Sequence, residues 1–145
     1  MDYNGTSLVK YVINECKKTG LPVVVAIPYG DHDLFDHLIE DVSVFYGSEN
    51  DVMERYYNCA KVNGFDTIIR VCADSKVLHH ELITQELENF KKYGHLTYGN
   101  FCTVFSFDQL EQYYYNDKRP DSREHVISGM LKDMTVDYGV DLIDN

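Results

Sequence analysis

The sequence predicts an α/β domain in which a mostly parallel sheet is covered by helices. Two observations carry this. Short apolar runs alternate with longer segments of helical periodicity, at spacings of about 20 residues. Residues 21–27 are apolar throughout except for Pro22, the composition of a strand buried on both faces, as in a parallel sheet. At 145 residues the chain is long enough for one domain with a real core. No internal repeat, low-complexity segment or linker divides it.

The elements follow in order. Thr6 or Ser7 can cap a helix whose apolar face runs from Leu8 through Val12 and Ile13 to Cys16. Lys17 and Lys18 suit its last turn and Gly20 its end. The strand at 21–27 is stopped by Pro28, and Tyr29, Gly30 and Asp31 form a turn. Residues 32–41 place Leu34, Phe35, Leu38 and Ile39 on one helical face, and 42–46 form a short strand ending at Gly47. Ser48 or Glu49 starts a third helix, 51–62, with Val52, Tyr56, Cys59 and Ala60 inward; Asn63 and Gly64 end it. Residues 67–72 are rich in β-branched side chains and read as the central strand. A fourth helix at 81–93 turns Leu82, Ile83, Leu87 and Phe90 inward. Residues 101–107 form a further strand, Asp108 caps a helix at 109–115, and Pro120 and Asp121 open a last helix to about Leu131. The tail from Asp133 is acidic, with a short strand expected at 135–140.

The net charge of −11 argues against nucleic acid and anionic membranes as partners. It also repels a nucleoside triphosphate unless Mg²⁺ or a local cluster of Arg and Lys offsets it. No apolar run approaches the roughly 20 residues that span a bilayer, and the first residues have no signal-peptide pattern. A cytoplasmic protein is expected. Cys16, Cys59, Cys72 and Cys102 are widely spaced with no C-x-x-C pair. They read as free buried thiols, with a disulfide or zinc site as the alternative.

The central strand ends in Ala73 and Asp74. In open α/β sheets ligands sit beyond the carboxyl ends of the strands. Asp74 is therefore a candidate metal ligand, or else a turn acid or helix cap. Arg70, inside the apolar strand, needs a partner if buried. A salt bridge to a helix acid and a ligand contact are the two readings. Arg55 has Asp51 and Glu54 within reach on its own helix, which favours a structural role.

Three stretches together carry a resemblance: Gly47-Ser48-Glu49-Asn50-Asp51-Val52-Met53-Glu54-Arg55-Tyr56-Tyr57, Ile69-Arg70-Val71-Cys72-Ala73-Asp74, and Ser122-Arg123-Glu124-His125-Val126. In order and spacing they resemble the spore-coat polysaccharide biosynthesis branch of the cytidylyltransferases, relatives of the enzymes that make cytidine-monophosphate sugars such as activated sialic acid and ketodeoxyoctonate. Phe105-Ser106-Phe107 falls where a further family block belongs. The resemblance covers about residues 7–130, within a single domain of 1–145.

The resemblance implies a three-layer α/β/α nucleotidyltransferase domain, Rossmann-like, and attack of a sugar on the α-phosphate of CTP with release of pyrophosphate. It implies Mg²⁺ as cofactor, Asp74 as the metal-binding and catalytic acid, and substrate contacts from Arg70, Arg123, Glu124 and His125. For Arg123, Glu124 and His125 the alternative is a helix-start network, capped by Asp121 or Ser122, that ties the helix to the sheet. Three departures stand out. The family's opening strand and its phosphate-binding loop have no counterpart, so the chain reads as truncated at its N-terminus. Ser75 replaces the proline after the metal Asp, and Thr103 replaces a later Glu. The strands at 21–27 and 67–72 would both have flanked the missing strand. Either they pair directly, or a partner chain (a homodimer included) fills the gap, or the true start lies upstream. A catalytically inactive relative acting as a binding or partner subunit is thus the alternative to an enzyme.

Other patterns are weak. His32 and His37 are five apart, not the four that put two ligands on one helical face. Asp31, Asp33 and Asp36 lack the Gly and closing Glu of a calcium loop. His79 and His80 read as an exposed helix start. Tyr113, Tyr114 and Tyr115 cannot all face one way and are expected partly in the core.

Overall fold

A computed structural model describes residues 2–3, 6–31, 42–71, 78–94, 97–98, 102–131 and 133. The expected helix at 32–41, Cys72, Asp74, Ser75 and the expected strand at 135–140 lie outside the described residues. The strands are β1 (Asp2–Tyr3), β2 (Thr6–Ser7), β3 (Val24–Pro28), β4 (Ser43–Gly47), β5 (Thr67–Val71), β6 (Thr97–Tyr98) and β7 (Cys102–Ser106). The helices are α1 (Leu8–Lys17), α2 (Val52–Asn63), α3 (His80–Tyr93), α4 (Phe107–Asn116) and α5 (Pro120–His125).

The three-layer α/β arrangement that the resemblance implies is present. β5 and β7 show how the layers are built, because side chains alternate across a strand. On β5, Ile68 faces one helix layer while Ile69 and Val71 face the other. On β7, Phe105 packs with α2 and α4 through Met53, Tyr57 and Leu110, whereas Cys102 packs with Val12 of α1 and Ile83 of α3. Each face of the sheet thus carries its own apolar cluster.

Among the described residues the strands form separate pairings. β1 and β2 make a small antiparallel hairpin ahead of α1, so a hairpin and not a helix comes first. β3 and β4 pair in parallel, from Val24 opposite Ser43 to Pro28 opposite Gly47. β7 lies between β5 and β6 and is antiparallel to both, with Ile68 opposite Phe105 and Arg70 opposite Thr103. Parallel pairing is therefore confined, among these strands, to β3 and β4. β3 and β5 do not pair with each other.

Helix ends follow local chemistry. Asp51 is the N-cap of α2, its carboxylate accepting from the Glu54 N–H at 3.1 Å; Ser48 and Glu49 lie before the cap. Gly64 closes α2 at φ 70°, a conformation glycine adopts without a Cβ penalty. α4 is capped by Ser106, whose Oγ accepts from the Gln109 N–H at 3.1 Å, so Asp108 lies in its first turn instead. α5 is shorter than the expected helix to Leu131. It stops at Val126, buried and held at φ 62°, ψ −60°, where the Ile127 N–H reaches the His125 carbonyl at 2.6 Å. A positive φ is strained for a β-branched residue; burial of Val126, Ile127 and Met130 against α2 offsets it.

Phe105 is fully buried between β5, α2 and α4. Phe105→Ala is expected to cost about 3–5 kcal/mol, read as a lower urea midpoint at similar slope. Gly129 faces a different constraint: a Cβ there would collide with Asp117, Arg119 and Ser122. Gly129→Ala should therefore destabilise by about 1–3 kcal/mol in the same assay.

Candidate functional site

The stretch from Gly47 to Tyr57 is a packing unit built from its own residue types. β4 ends at Gly47, where a Cβ would lie 2.8 Å from the Arg55 side chain and 3.0 Å from Phe45. Only glycine lets the strand end approach α2 this closely. The Ser48 Oγ accepts from the Asp51 N–H at 3.1 Å, and Arg55 Nη1 donates back to the Ser48 carbonyl at 2.7 Å. The turn between β4 and α2 is thus bonded from both sides.

Asp51 does more than cap. Its carboxylate also receives Arg123 in a two-pronged pair, Nε to Oδ1 at 3.0 Å and Nη2 to Oδ2 at 2.7 Å. Arg123 is 15% exposed and Asp51 28%, so the pair is largely shielded and geometrically specific. Arg123 Nη1 donates to the Tyr114 carbonyl at 2.6 Å, and the guanidinium lies 4.9 Å from the Tyr114 ring centre. Tyr114 stacks on buried Tyr57 at 4.1 Å. The Tyr57 hydroxyl donates to Glu111 at 3.0 Å and lies 3.4 Å from the Tyr115 hydroxyl. The Tyr115 hydrogen bond, then burial and Glu111, hold the Tyr57 phenol well above its ordinary range.

The sequence-proposed residues divide. Arg70 points to the α2 face, its guanidinium 5.4 Å from the Tyr56 ring centre. Arg123 turns inward to Asp51. Glu124 and His125 stand on the exposed side of α5, with His125 Nε2 3.8 Å from both Asp121 and Glu124. Asp74 lies three residues beyond Val71, outside the described residues. The structure brings the first block to the other two, through Tyr56 with Arg70 and Asp51 with Arg123. Sequence reasoning missed the Asp51–Arg123 pair, although Asp51 and Glu54 already carry the spacing of a capping box.

A second polar cluster was also missed. Glu15 of α1 is buried at 5% exposure. It accepts from Lys18 Nζ at 2.6 Å and from the His80 N–H at 3.1 Å, with His80 Nδ1 at 3.2 Å. It therefore satisfies a donor at the start of α3. The Lys18 hydrogen bond, with the His80 contacts, outweighs burial and lowers the Glu15 carboxyl to about 2. Asp117, buried beside Arg119, is likewise held well below the carboxylate range by that guanidinium. Cys16, Cys59 and Cys102 are free thiols; burial pushes Cys16 and Cys59 up to about 11 and Cys102 to about 12. Among the described residues no group of three or more His, Cys, Asp or Glu can hold a metal ion.

A cavity of about 450 Å³ lies between β3 and β5, with α1 and α2 on its two sides. Apart from Arg55 and Arg70, its lining carries no charged side chain. It is an apolar slot within the sheet layer rather than a polar cleft at the strand ends.

No family model matches the chain. An uncharacterised protein of Methanocaldococcus jannaschii is 37% identical over 92 residues, covering 59% of this chain and 38% of that protein. Among solved structures, a cytidylyltransferase from Leptospira borgpetersenii superposes with a TM-score of 0.77 at 19% identity, over 92% of this chain and 63% of the enzyme. The 4-diphosphocytidyl-2C-methyl-D-erythritol synthase of Anaerococcus prevotii gives a TM-score of 0.62 at 10% identity, over 88% and 77%. The chain therefore has the fold of the cytidylyltransferases. It spans well under half of the Methanocaldococcus relative and less than two thirds of the Leptospira enzyme. No helix among the described residues is long and apolar enough to cross a membrane.

Asp51→Asn keeps a capping side chain but loses the charge that pairs with Arg123; Asp51→Ala loses both. Chemical denaturation should rank the two variants in that order, with Asp51→Ala costing about 2–4 kcal/mol. Glu15 predicts a pH effect. Its folded pKa lies below the ordinary value of 4.5, so its contribution is present above about 4.5 and is lost as pH falls towards about 2. Glu15→Gln should lower Tm at pH 7 and flatten the acid limb of stability across that window.

Proposed function

We propose that this chain is a cytidylyltransferase-like domain of nucleotide-sugar or surface-polysaccharide biosynthesis, acting in the cytoplasm on CTP and a sugar. The observation that carries the reading is the superposition on the Leptospira cytidylyltransferase over 92% of the chain. The ordered blocks from Gly47 to Val126 support it. In this chemistry a sugar oxygen attacks the α-phosphorus of CTP, the bond to the β-phosphate oxygen breaks, and pyrophosphate leaves. Such transfer rests on positioning and charge stabilisation more than on covalent catalysis.

The Arg70 guanidinium, on β5, lies 5.4 Å from the Tyr56 ring centre, and Asp74 follows four residues on in the sequence. We assign Asp74 as the acid that holds Mg²⁺, which would supply the charge offset a phosphate chain needs on a surface of net charge −11. Arg123 holds α5 to α2, which sets the place of exposed Glu124 and His125 for contact with the substrate. One observation favours a second reading, a catalytically silent binding or partner subunit: the Arg123 guanidinium is already taken up by Asp51 and the Tyr114 carbonyl.

Thermal-shift titration separates the two. A ligand that binds only the native state raises Tm, by about 2.7 kcal/mol of stabilisation at a hundred times Kd. Under the first reading CTP with Mg²⁺ raises Tm, ATP does not, and Asp74→Asn abolishes the shift while leaving the ligand-free Tm unchanged. A folded protein that shows no shift with CTP and Mg²⁺ supports the partner subunit instead. An unchanged shift in Asp74→Asn removes Asp74 from the site.

A further inference from the structure

The end of α4 and the turn into α5 form an open cleft of about 740 Å³. Its lining includes Gln112, Tyr113, Asp117, Lys118, Arg119 and Asp133. Arg119 is the fixed member. Buried Asp117 takes one edge of its guanidinium, Nε donating to Oδ1 and Nη2 to Oδ2, both at 2.8 Å. The Arg119 backbone N–H also donates to Oδ1, at 3.1 Å. Asp117 is itself anchored through its backbone. Its N–H donates to the Tyr113 carbonyl at 2.9 Å, and its carbonyl accepts from Arg123 Nη1 at 3.4 Å. The guanidinium is therefore ordered before any ligand arrives, which lowers the entropic cost of binding one.

With the Nε–Nη2 edge on Asp117, the Nη1 side of the fork remains. Among the described residues no acceptor is hydrogen-bonded to that side. Asp133 shows what the outer donors take. Its Oδ2 stands 3.7 Å from Arg119 Nη2, longer than a hydrogen bond, and accepts from the Tyr113 hydroxyl. Arg119 and Asp133 are each about half exposed, so their ion pair contributes little and is readily replaced. Asp133 is thus a resident carboxylate, held by a phenol and only loosely by the guanidinium. Lys118 and Gln112 bring further N–H donors to the same lining. Asp117 offsets the charge of Arg119. Displacing Asp133 would leave the cleft net positive, through Lys118, on a chain of net charge −11.

We propose that this cleft binds the oxyanion group, carboxylate or phosphate, of a small molecule, and that Asp133 holds its place until the ligand displaces it. Arg119 receives the anion on its Nη1–Nη2 edge in a two-pronged geometry, the Tyr113 hydroxyl donates to it, and Lys118 adds charge. The cleft is much larger than one oxyanion and falls in the size range of small-molecule pockets, so the anion is one end of a larger ligand. The inference stands on this cleft and needs neither the transferase activity nor Asp74.

The test is a titration of the full chain with inorganic phosphate and with succinate at constant ionic strength, read by amide chemical shifts and Tm, with sodium chloride as control. Saturable shifts centred on residues 112–119 and a higher Tm are expected with at least one anion. A response to phosphate alone assigns a phosphate ligand, to succinate alone a carboxylate, and to both the shared chemistry. Asp133→Asn keeps an acceptor for Tyr113 but removes the resident charge, and should tighten binding about threefold or more. Arg119→Lys loses the fork and should weaken binding about tenfold or more. Tyr113→Phe keeps the ring and the Arg119–Asp117 pair, and should weaken it about threefold. The site is overturned if neither the natural chain nor Asp133→Asn shows a saturable shift, if sodium chloride reproduces the shifts, or if they centre outside the cleft. Unchanged affinity in Arg119→Lys and Tyr113→Phe overturns it as well. Equal or weaker binding by Asp133→Asn overturns the displacement of Asp133.

Discussion

Asp51 is the point on which the α2 side of the molecule turns. One carboxylate caps α2 and fixes Arg123 of α5 across 72 residues of chain. The same guanidinium grips the Tyr114 carbonyl and covers its ring, so α4 and α5 are registered against α2 by a single side chain. Beneath it the Tyr57–Tyr114 stack and Phe105 supply the apolar area, which is undirected. The ion pair adds direction to that area. A shielded, two-pronged pair of this kind contributes less through its own energy than through the cost of leaving either charge alone.

On the other side of the sheet Glu15 plays a comparable part, with Lys18 and His80 as its partners. It joins α1 to the first turn of α3, the helix that follows β5 in the chain. The two polar clusters lie on opposite faces of the same strands. Between them runs the seam at β3 and β5. Helices hold both halves of the sheet from above and below while the backbone edges in the middle remain apart. Among the described residues, helix packing and not a continuous hydrogen-bonded ladder joins the two halves.

The motif residues gain a physical meaning from this. Gly47 is required by a close approach, Ser48 and Asp51 by unsatisfied donors, Arg55 by a carbonyl, Tyr57 by a stack. A block that resembles a family signature is here first a set of packing and capping solutions. Glu124 and His125, facing solvent on α5, are the members of the last block that no packing role absorbs.

Much of the fold was legible in the sequence because it rests on local rules. Apolar runs of β-branched residues located β3, β4, β5 and β7, helical periodicity located α1 to α4, and Gly64 marked a helix end. Composition likewise pointed to buried thiols at Cys59 and Cys102. What the sequence could not decide were relations between segments far apart in the chain. The antiparallel entry of β7, the halt at Val126 and the Asp51–Arg123 pair all depend on which surfaces meet. Among the sites, the sequence named the candidate residues by type and order. Tertiary packing decided that Arg123 turns in to Asp51 while Glu124 and His125 turn out, because a side chain's partners are set by the neighbouring element and not by its own. Direct pairing of these two strands was one of the alternatives the sequence left open, and in the structure β3 and β5 do not pair, because a strand edge's partner is set by the elements packed around it and not by its own residues.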